Sequence, residues 1–577
     1  MSSTPSIPHL LKTASSSHHL IVHNSPFLLL PAELHNSTLS SAPHMSATNI
    51  WPSLASTHIN TVLGSVSWRQ IEPTEGSFDF SNLRAILADA REYGMKVILL
   101  WFGSYKNGMS TYVPGWVKRD VGRFPRCHVF EAGGRKKTVE VLSPFCKEAC
   151  EADGRAFGAL MEWLRDEDGV ANTVIMVQVE NEVGLLGDAR DRSRVADELF
   201  DAPVPIDLVR CLHLKELKGG LHPEFVKRFP NFSSLRAGTS TWIDVFGKRD
   251  IRNAEEIFMA YHFSRYVEHV AAAGKRIYPL PLYTNAWLNA DNPAALDPSS
   301  LPSTIAVGGG DTPGIYPSGG PVPHCLDVYS FNCPSIDFFS PDIYFHNYET
   351  MCRDYSHDGQ PLFIPEQQRT EKGARRIWSA YANYGALGCS PFGIDSATKE
   401  ETRTWGKHFG LMHSVRKQIL DAQAKGPGEM LGFFFDEFDA TRKDKERSWT
   451  KVMGGFEVII ERAFVFGTPG PGAGMVIHQG EGKFLCIGWG FNVSFRSTNP
   501  KSTFTGILHV EEKEADPETC ELKTMRLLNG DETRGGKCLI MPNEDPDYGG
   551  FPVAVTIPAR TAIAECWAYS LEEQEGD

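Results

Sequence analysis

From about residue 25 to residue 420, apolar runs of strand length alternate with segments of helical period. The predicted strands are PFLLLPAEL, INTVLGSVSW, KVILLWFG, TVIMVQVENE, YPLPLYTNA, DFFSPDIY, PLFIPEQQ and GCSPFGID. Between them, DFSNLRAILADAREYGM spaces its apolar residues as a helix does and stops at a glycine. CEADGRAFGALMEWLRD, AEEIFMAYHFSRYVEHVAAAG and GARRIWSAYANYG follow the same period. The first strand is near-continuous in apolar residues, as a parallel strand covered on both faces should be. Eight such strands alternating with helices predict a (β/α)8 TIM barrel, an α/β fold, over residues 25–425. A doubly wound open sheet is the competing architecture. Its dinucleotide-binding form is weakened because no G-x-G-x-x-G follows the first strand.

Past the breaker AKGPG the pattern changes to short alternating runs such as EMLGFFFDEFD, FEVIIERAFVFG and KFLCIGWGFNVSF. Turns separate them, which predicts a small antiparallel β-sandwich accessory domain over residues 426–577. Residues 1–24 read as an N-terminal tail, and the closing LEEQEGD as a frayed acidic end. Two stretches interrupt the barrel pattern: a charged, mostly helical one at 185–255, and one rich in Pro, Gly and Ser at 290–325. Both follow strand ends, on the face where barrel enzymes build their sites.

The chain has 577 residues, too many for one core, and a net charge of −14 with no basic cluster to offset it. That balance argues against nucleic acid as a partner. No run reaches the roughly 18 to 20 apolar residues of a membrane span. The first residues lack a charged segment followed by an apolar core, so no signal peptide is expected and a cytoplasmic location is. Sequons at Asn36, Asn231 and Asn492 leave secretion by another route open. The twelve cysteines form no C-x-x-C pair, and Cys146 and Cys150 suit one helix face, so reduced thiols are expected. No histidine spacing resembles a metal motif, and neither metal nor cofactor is expected. Oligomeric state is left open.

In a barrel, side chains at the carboxyl ends of the strands point at one cavity. The acids there are Glu33, Glu72, Glu180, Glu182, Asp342, Glu366 and Asp395. The aromatics are Trp68, Trp101, Phe102, Tyr105, Trp287, Tyr344 and Phe392. Carboxyls and flat aromatic faces around one cleft suit a sugar ring. Glu180 and Glu182, two apart on a strand, share a face at roughly 7 Å. Both rise from one wall, however, and a retaining glycosidase needs carboxylates about 5 to 5.5 Å apart on either side of the anomeric carbon. Glu366, after the apolar strand LFIP, is the better partner for Glu182. Glu180 is expected to be buried against an Arg or Lys.

Asn-Glu on strand four (QVENEVG) with a glutamate on strand seven (FIPEQQ) resembles the clan A glycoside hydrolases. With LLLPAELHNST, SWRQIEPTEGSFDFSNL and LLWFGSYKNG, the chain is similar to glycoside hydrolase family 35, the β-galactosidase family, in its branch with one small C-terminal β-domain. The likeness runs from about residue 27 to 395 and again from GFFFDEFD onward. It implies retaining hydrolysis of β-galactosides, with Glu182 as acid/base, Glu366 as nucleophile, Asn181 on the sugar 2-hydroxyl and Tyr344 beside the nucleophile. Two positions depart from that family. His35-Asn36 stands where His-Tyr is usual, and Trp101-Phe102-Gly103 where Ala-Glu-Trp is usual. Glu33, Asn36, Trp101, Lys106 and Asn107 are the candidates for a replacement sugar clamp. A clan A glycosidase for β-glucosides, β-mannosides or arabinosides, and a non-catalytic carbohydrate-binding protein, are the alternatives.

Overall fold

Eight parallel strands pair in chain order in a computed structural model of the protein, and the last comes back to the first. They are β1 (Pro31–Glu33), β2 (Thr61–Ser67), β3 (Lys96–Lys106), β4 (Val174–Asn181), β5 (Leu282–Trp287), β6 (Phe338–Ile343), β7 (Ile364–Gln367) and β8 (Cys389–Pro391). A parallel bridge from Glu33 to Phe392 joins the two edges. This is the expected TIM barrel. Residues 6–15, 17–230, 232, 239–290, 296–297, 310–437, 448–463, 470–543 and 556–572 are described. The Asn231 sequon, most of the Pro/Gly/Ser-rich stretch and the last five residues of the acidic end lie outside them.

Strand periodicity sorts the barrel side chains. On β3, Ile98, Leu100 and Phe102 join Leu63, Tyr283, Phe338 and Phe363 in one apolar cluster within the barrel. Val97, Leu99 and Trp101, the alternate residues, belong to the layer shared with the surrounding helices. The helices fall where the period places them, among them Ser81–Glu92, Lys147–Asp168, Ile251–Lys275 and Glu371–Asn383.

Two boundaries differ from expectation. β1 is short, because Leu30 N–H donates to the Asn60 side chain and Phe27 N–H to Leu20 O in place of a barrel ladder. The stretch read as an N-terminal tail instead carries an antiparallel sheet of His9–Lys12, His18–Val22 and Ser25–Pro26. Leu20 and Val22 cover the same apolar cluster as Leu29 and Leu63, so burial of barrel-end surface holds these strands in place.

Beyond residue 426 the described strands form two antiparallel sheets. One contains Met430–Phe435, Gly472–Gly480, Lys483–Trp489, Ile563–Leu571, Phe504–Ala515 and Leu522–Leu528; the other contains Trp449–Met453, Phe456–Arg462, Phe491–Ser497 and Cys538–Ile540. Val458, Ile460, Phe484, Phe491 and Val493 fill the space between them. None of the twelve cysteines is in a disulfide. Among the described residues no helix is long and apolar enough to cross a membrane.

Candidate active site

The end of β4 departs from strand geometry. Glu180 has φ +61° and Glu182 φ +47°, left-handed values that cost a non-glycine residue of order 1 kcal/mol or more each. The two turns break the two-residue period, so Glu180 and Glu182 do not share a face as the alternation predicts. Glu182 enters the cavity at the strand ends, while Glu180 turns outward against Asp153 of the helix Lys147–Asp168. Glu180 therefore meets a carboxyl where a cation was expected.

The cavity encloses about 260 Å³ and is lined by Glu182, Asp342, Tyr344 and Glu366 among others. Oxygens of Glu182, Asp342 and Glu366 all lie within 4.8 Å of one another, a spacing that would also admit a cation. Tyr344 Oη donates to Glu366 Oε2 at 2.9 Å. Asn181 Nδ2 donates to Glu366 Oε1 at 3.4 Å, and Lys106 Nζ donates to Asn181 Oδ1 at 2.8 Å. A side chain that sequence reasoning missed links these groups. Asn285, on β5, accepts from Glu182 N–H at 2.9 Å and donates to Asp342 Oδ2 at 2.7 Å. A polar residue near the end of a buried strand, in YTNAW, was the available signal.

Burial pushes the Glu182 carboxyl up to about 8, and the charge of Glu366 adds to it against the pull of Lys106 and a hydrogen bond with Asp342. Burial likewise holds Asp342 well above the ordinary carboxyl range, with Glu366 and Glu182 reinforcing it. Glu33 is raised in the same way, by burial first and then by Glu366. Neither of its oxygens has a hydrogen-bond partner among the described residues. An unpartnered buried acid is less costly neutral than ionised.

The predicted sugar clamp is only partly assembled. Asn36, Lys106, Asn107 and Tyr344 line the cavity, together with Trp287, Phe345, His346 and Phe392. Glu33 is fully buried and Asn181 has no exposed surface, and neither lines it. Trp101 does not reach the cavity. Its ring packs on Phe157 and its Nε1 donates to Asp153 Oδ1 at 2.9 Å, because strand alternation turns residue 101 toward the helices. Trp68, Phe102 and Tyr105 also stay out of the lining. Glu72 shapes a turn by accepting from Trp68 Nε1 and Gly76 N–H, each at 2.7 Å. Asp395 accepts from His35 Nδ1 at 2.8 Å and Thr38 Oγ1 at 2.6 Å, which fixes the loop that carries Asn36.

The family model described as β-galactosidase, of glycoside hydrolase family 42, matches residues 41–201. A domain of unknown function (DUF5597) matches residues 405–540. The family 42 match supports the clan A reading but not the narrower likeness to family 35. No curated protein matches the chain. Among solved structures, a β-galactosidase from Bacillus circulans sp. alkalophilus is 14% identical over 68% of this chain and 57% of its own, with a TM-score of 0.43. A β-galactosidase from the psychrophilic Marinomonas ef1 is 15% identical over 69% and 61%, at 0.44. The catalytic domain of a β-amylase from Paenibacillus polymyxa is 11% identical over 66% and 97%, at 0.42. The chain thus spans less than two thirds of both β-galactosidase chains. The family match, which includes Asn181 and Glu182, and the eight-stranded barrel together support a glycoside hydrolase of the clan A type.

Proposed function

We propose that the protein is a retaining glycoside hydrolase that removes terminal β-D-galactosyl residues, with Glu366 as nucleophile and Glu182 as acid/base. The observation that carries this reading is the approach of the two carboxyls to within 4.8 Å. Retaining enzymes hold the pair at about 5 to 5.5 Å, whereas inverting ones leave about 6.5 to 9.5 Å for a water. The cavity of about 260 Å³ lies below the usual range for drug-sized ligands, about 300 to 1,000 Å³, and suits one sugar ring. Trp287 and Phe392 offer faces for its C–H groups. The galactoside assignment draws on the β-galactosidase family match over residues 41–201.

In the first step an oxygen of Glu366 bonds to the anomeric carbon as the bond to the departing oxygen breaks, and Glu182 gives its proton to that oxygen. In the second, water attacks the anomeric carbon, passes a proton to Glu182 and frees Glu366. Burial keeps Glu182 protonated at neutral pH, as the first step requires. Tyr344 and Asn181 donate one hydrogen bond to each oxygen of Glu366, which orients it.

Proton NMR of the first product from a β-galactoside tests activity and stereochemistry together, and β-galactose is the expected first product. Glu366→Ala should abolish turnover and recover it with azide as α-galactosyl azide. Near-normal turnover by this variant would remove Glu366 from the mechanism. The altered clamp positions favour a second reading, another β-glycoside. A panel of nitrophenyl glycosides decides between the two, and cleavage of glucoside or mannoside without galactoside would overturn the galactosidase reading.

A further inference from the structure

The ladder between β3 and β4 is interrupted next to the site. Trp101 pairs with Val179 and the next partner of β4 is Lys106 with Asn181, so Phe102, Gly103, Ser104 and Tyr105 stand opposite Glu180 alone. The bulge leaves backbone donors without a strand partner, and Glu180 supplies acceptors from its side chain. Tyr105 N–H donates to Glu180 Oε2 at 2.6 Å and Ser104 N–H to Glu180 Oε1 at 3.2 Å. Asp153 completes the arrangement from the helix behind. It accepts from Ser104 N–H at 2.9 Å and Trp101 Nε1 at 2.9 Å. A Cβ on Gly103 would sit 2.7 Å from an oxygen of each acid, so the two carboxyls meet over that glycine. Neither has any exposed surface, and neither forms an ion pair among the described residues. Beyond Trp101 and these backbone donors, the titratable groups facing the pair are Tyr105, Cys150 and Tyr266. Two buried carboxyls that share the Ser104 N–H and have no cation beside them among the described residues are most stable holding one proton between them.

We propose that Asp153 and Glu180 form a carboxyl–carboxyl latch that positions the acid/base, which makes Asp153 a positioning residue from outside the cavity. The left-handed turns at Glu180 and Glu182 persist only where surrounding contacts impose them. The latch imposes the first of them, ties β4 to the bulge of β3, and so sets Asn181 and Glu182 on one strand against Lys106 on the other. This inference rests on the reading of Glu182 as proton donor.

The test measures kcat and KM of the full-length enzyme on β-galactosides with good (dinitrophenyl) and poor (alkyl) leaving groups. In the first step, which kcat/KM reports, only poor leaving groups need the acid. Asp153→Ala should cost about 10²-fold in kcat/KM on the alkyl substrate, the scale of a small misplacement of a catalytic group. On the dinitrophenyl substrate it should cost only a few-fold. Asp153→Asn, which can donate to an ionised Glu180, should restore most of the loss. Equal losses on both substrates, or no rescue by Asn, would reduce Asp153 to a packing role and overturn the proposal. Glu182→Ala is run in parallel. If it loses selectively on the alkyl substrate and Asp153→Ala does not, only the latch fails. If it shows no selectivity, the acid/base reading fails and takes the latch with it. Should Asp153→Ala not fold, Trp101→Phe decides, since it removes one donor to Asp153 and keeps the ring. It should give a selective few-fold loss, and no change or an unselective loss counts against the latch.

Discussion

Lys106 is the cation of the cavity wall. It donates to Asn181 at 2.8 Å, stands 4.9 Å from the Phe102 ring centroid, and lowers the proton affinity of Glu33, Glu182 and Asp342 against their burial. Lys106→Met keeps the stem and removes the charge. A nearby cation favours an ionised carboxylate, so without it Glu182 binds its proton more tightly. The alkaline limb of kcat/KM, expected near the Glu182 value of about 8, should therefore move to higher pH. The lost charged hydrogen bond should lower kcat/KM by about 10- to 100-fold, the equivalent of about 1.5 to 3 kcal/mol. A pH–rate profile checks both, and a limb that stays in place or moves down would contradict the assignment of Lys106 as the opposing charge. Glu182, Glu366, Asn181, Tyr344, Lys106 and Asn107 were all legible as candidates, because each stands at or just past a predicted strand end. Trp101 falls outside the cavity because it is odd-numbered on β3, where the inward residues Ile98, Leu100 and Phe102 are even. Asp153 lies mid-helix in a pattern that reads as an ordinary amphipathic face, and nothing in its neighbours marks it.

Elements of the two domains meet along one helix of the barrel. The helix Glu371–Asn383 lies against the strand Met430–Phe435, with the Asn383 side chain bonded both ways to the Gly432 backbone at 2.8 and 2.9 Å. Arg376, on the same helix and largely buried, donates to both oxygens of Asp436 at 2.9 Å and to Asp297 at 3.0 Å. Burial works against an ionised Asp436, but the charge and hydrogen bonds of Arg376 outweigh it and hold that carboxyl low. Removing Arg376 takes the bidentate partner from Asp436 and leaves it Arg375 at 3.8 Å. Because Asp436 keeps some contact with water, Arg376→Ala should cost about 2 kcal/mol, less than the 3 to 5 of a fully buried pair. A lowered thermal midpoint with unchanged kcat at 25 °C is the expected outcome. A large fall in kcat at that temperature would mean that the contact reaches the active site. Strand and helix positions were readable from periodicity, whereas this junction joins residues far apart in the chain whose pairing no local pattern records.

For the whole molecule, the cluster of buried acids links stability to pH. Glu33, Glu180, Glu182 and Asp342 are all raised, chiefly by burial. The native state therefore keeps protons that the unfolded chain has already released, and stability falls as pH rises. For Glu182 the contribution is fully present below the ordinary carboxyl value of 4.5 and is lost as pH rises through about 8. Depressed acids such as Asp188 and Asp436 act only below that ordinary value. Depressed histidines such as His222 and His408 act around and below 6.5. Between pH 7 and 8.5 the raised acids thus dominate. The thermal midpoint should fall across that window, and Glu182→Gln should flatten the slope by up to about 1.4 kcal/mol per pH unit near pH 7, and by less as pH passes the Glu182 value of about 8. A midpoint that rises with pH there would contradict the burial assigned to these groups.

The sequence by itself determined the alternation that builds the barrel, the break after which a sandwich begins, and the presence of Asn-Glu and a second glutamate at strand ends. These features follow from local period and from the cost of placing polar groups at the end of an apolar run. Only the tertiary structure decided which carboxyls meet, that Glu180 and Glu182 part company, and that Asn285 and Asp153 support the site. Those outcomes depend on two left-handed residues and a four-residue bulge, imposed by groups distant in the chain. A charge finds its partner across space, and a one-dimensional pattern carries no record of that partner until the chain has folded.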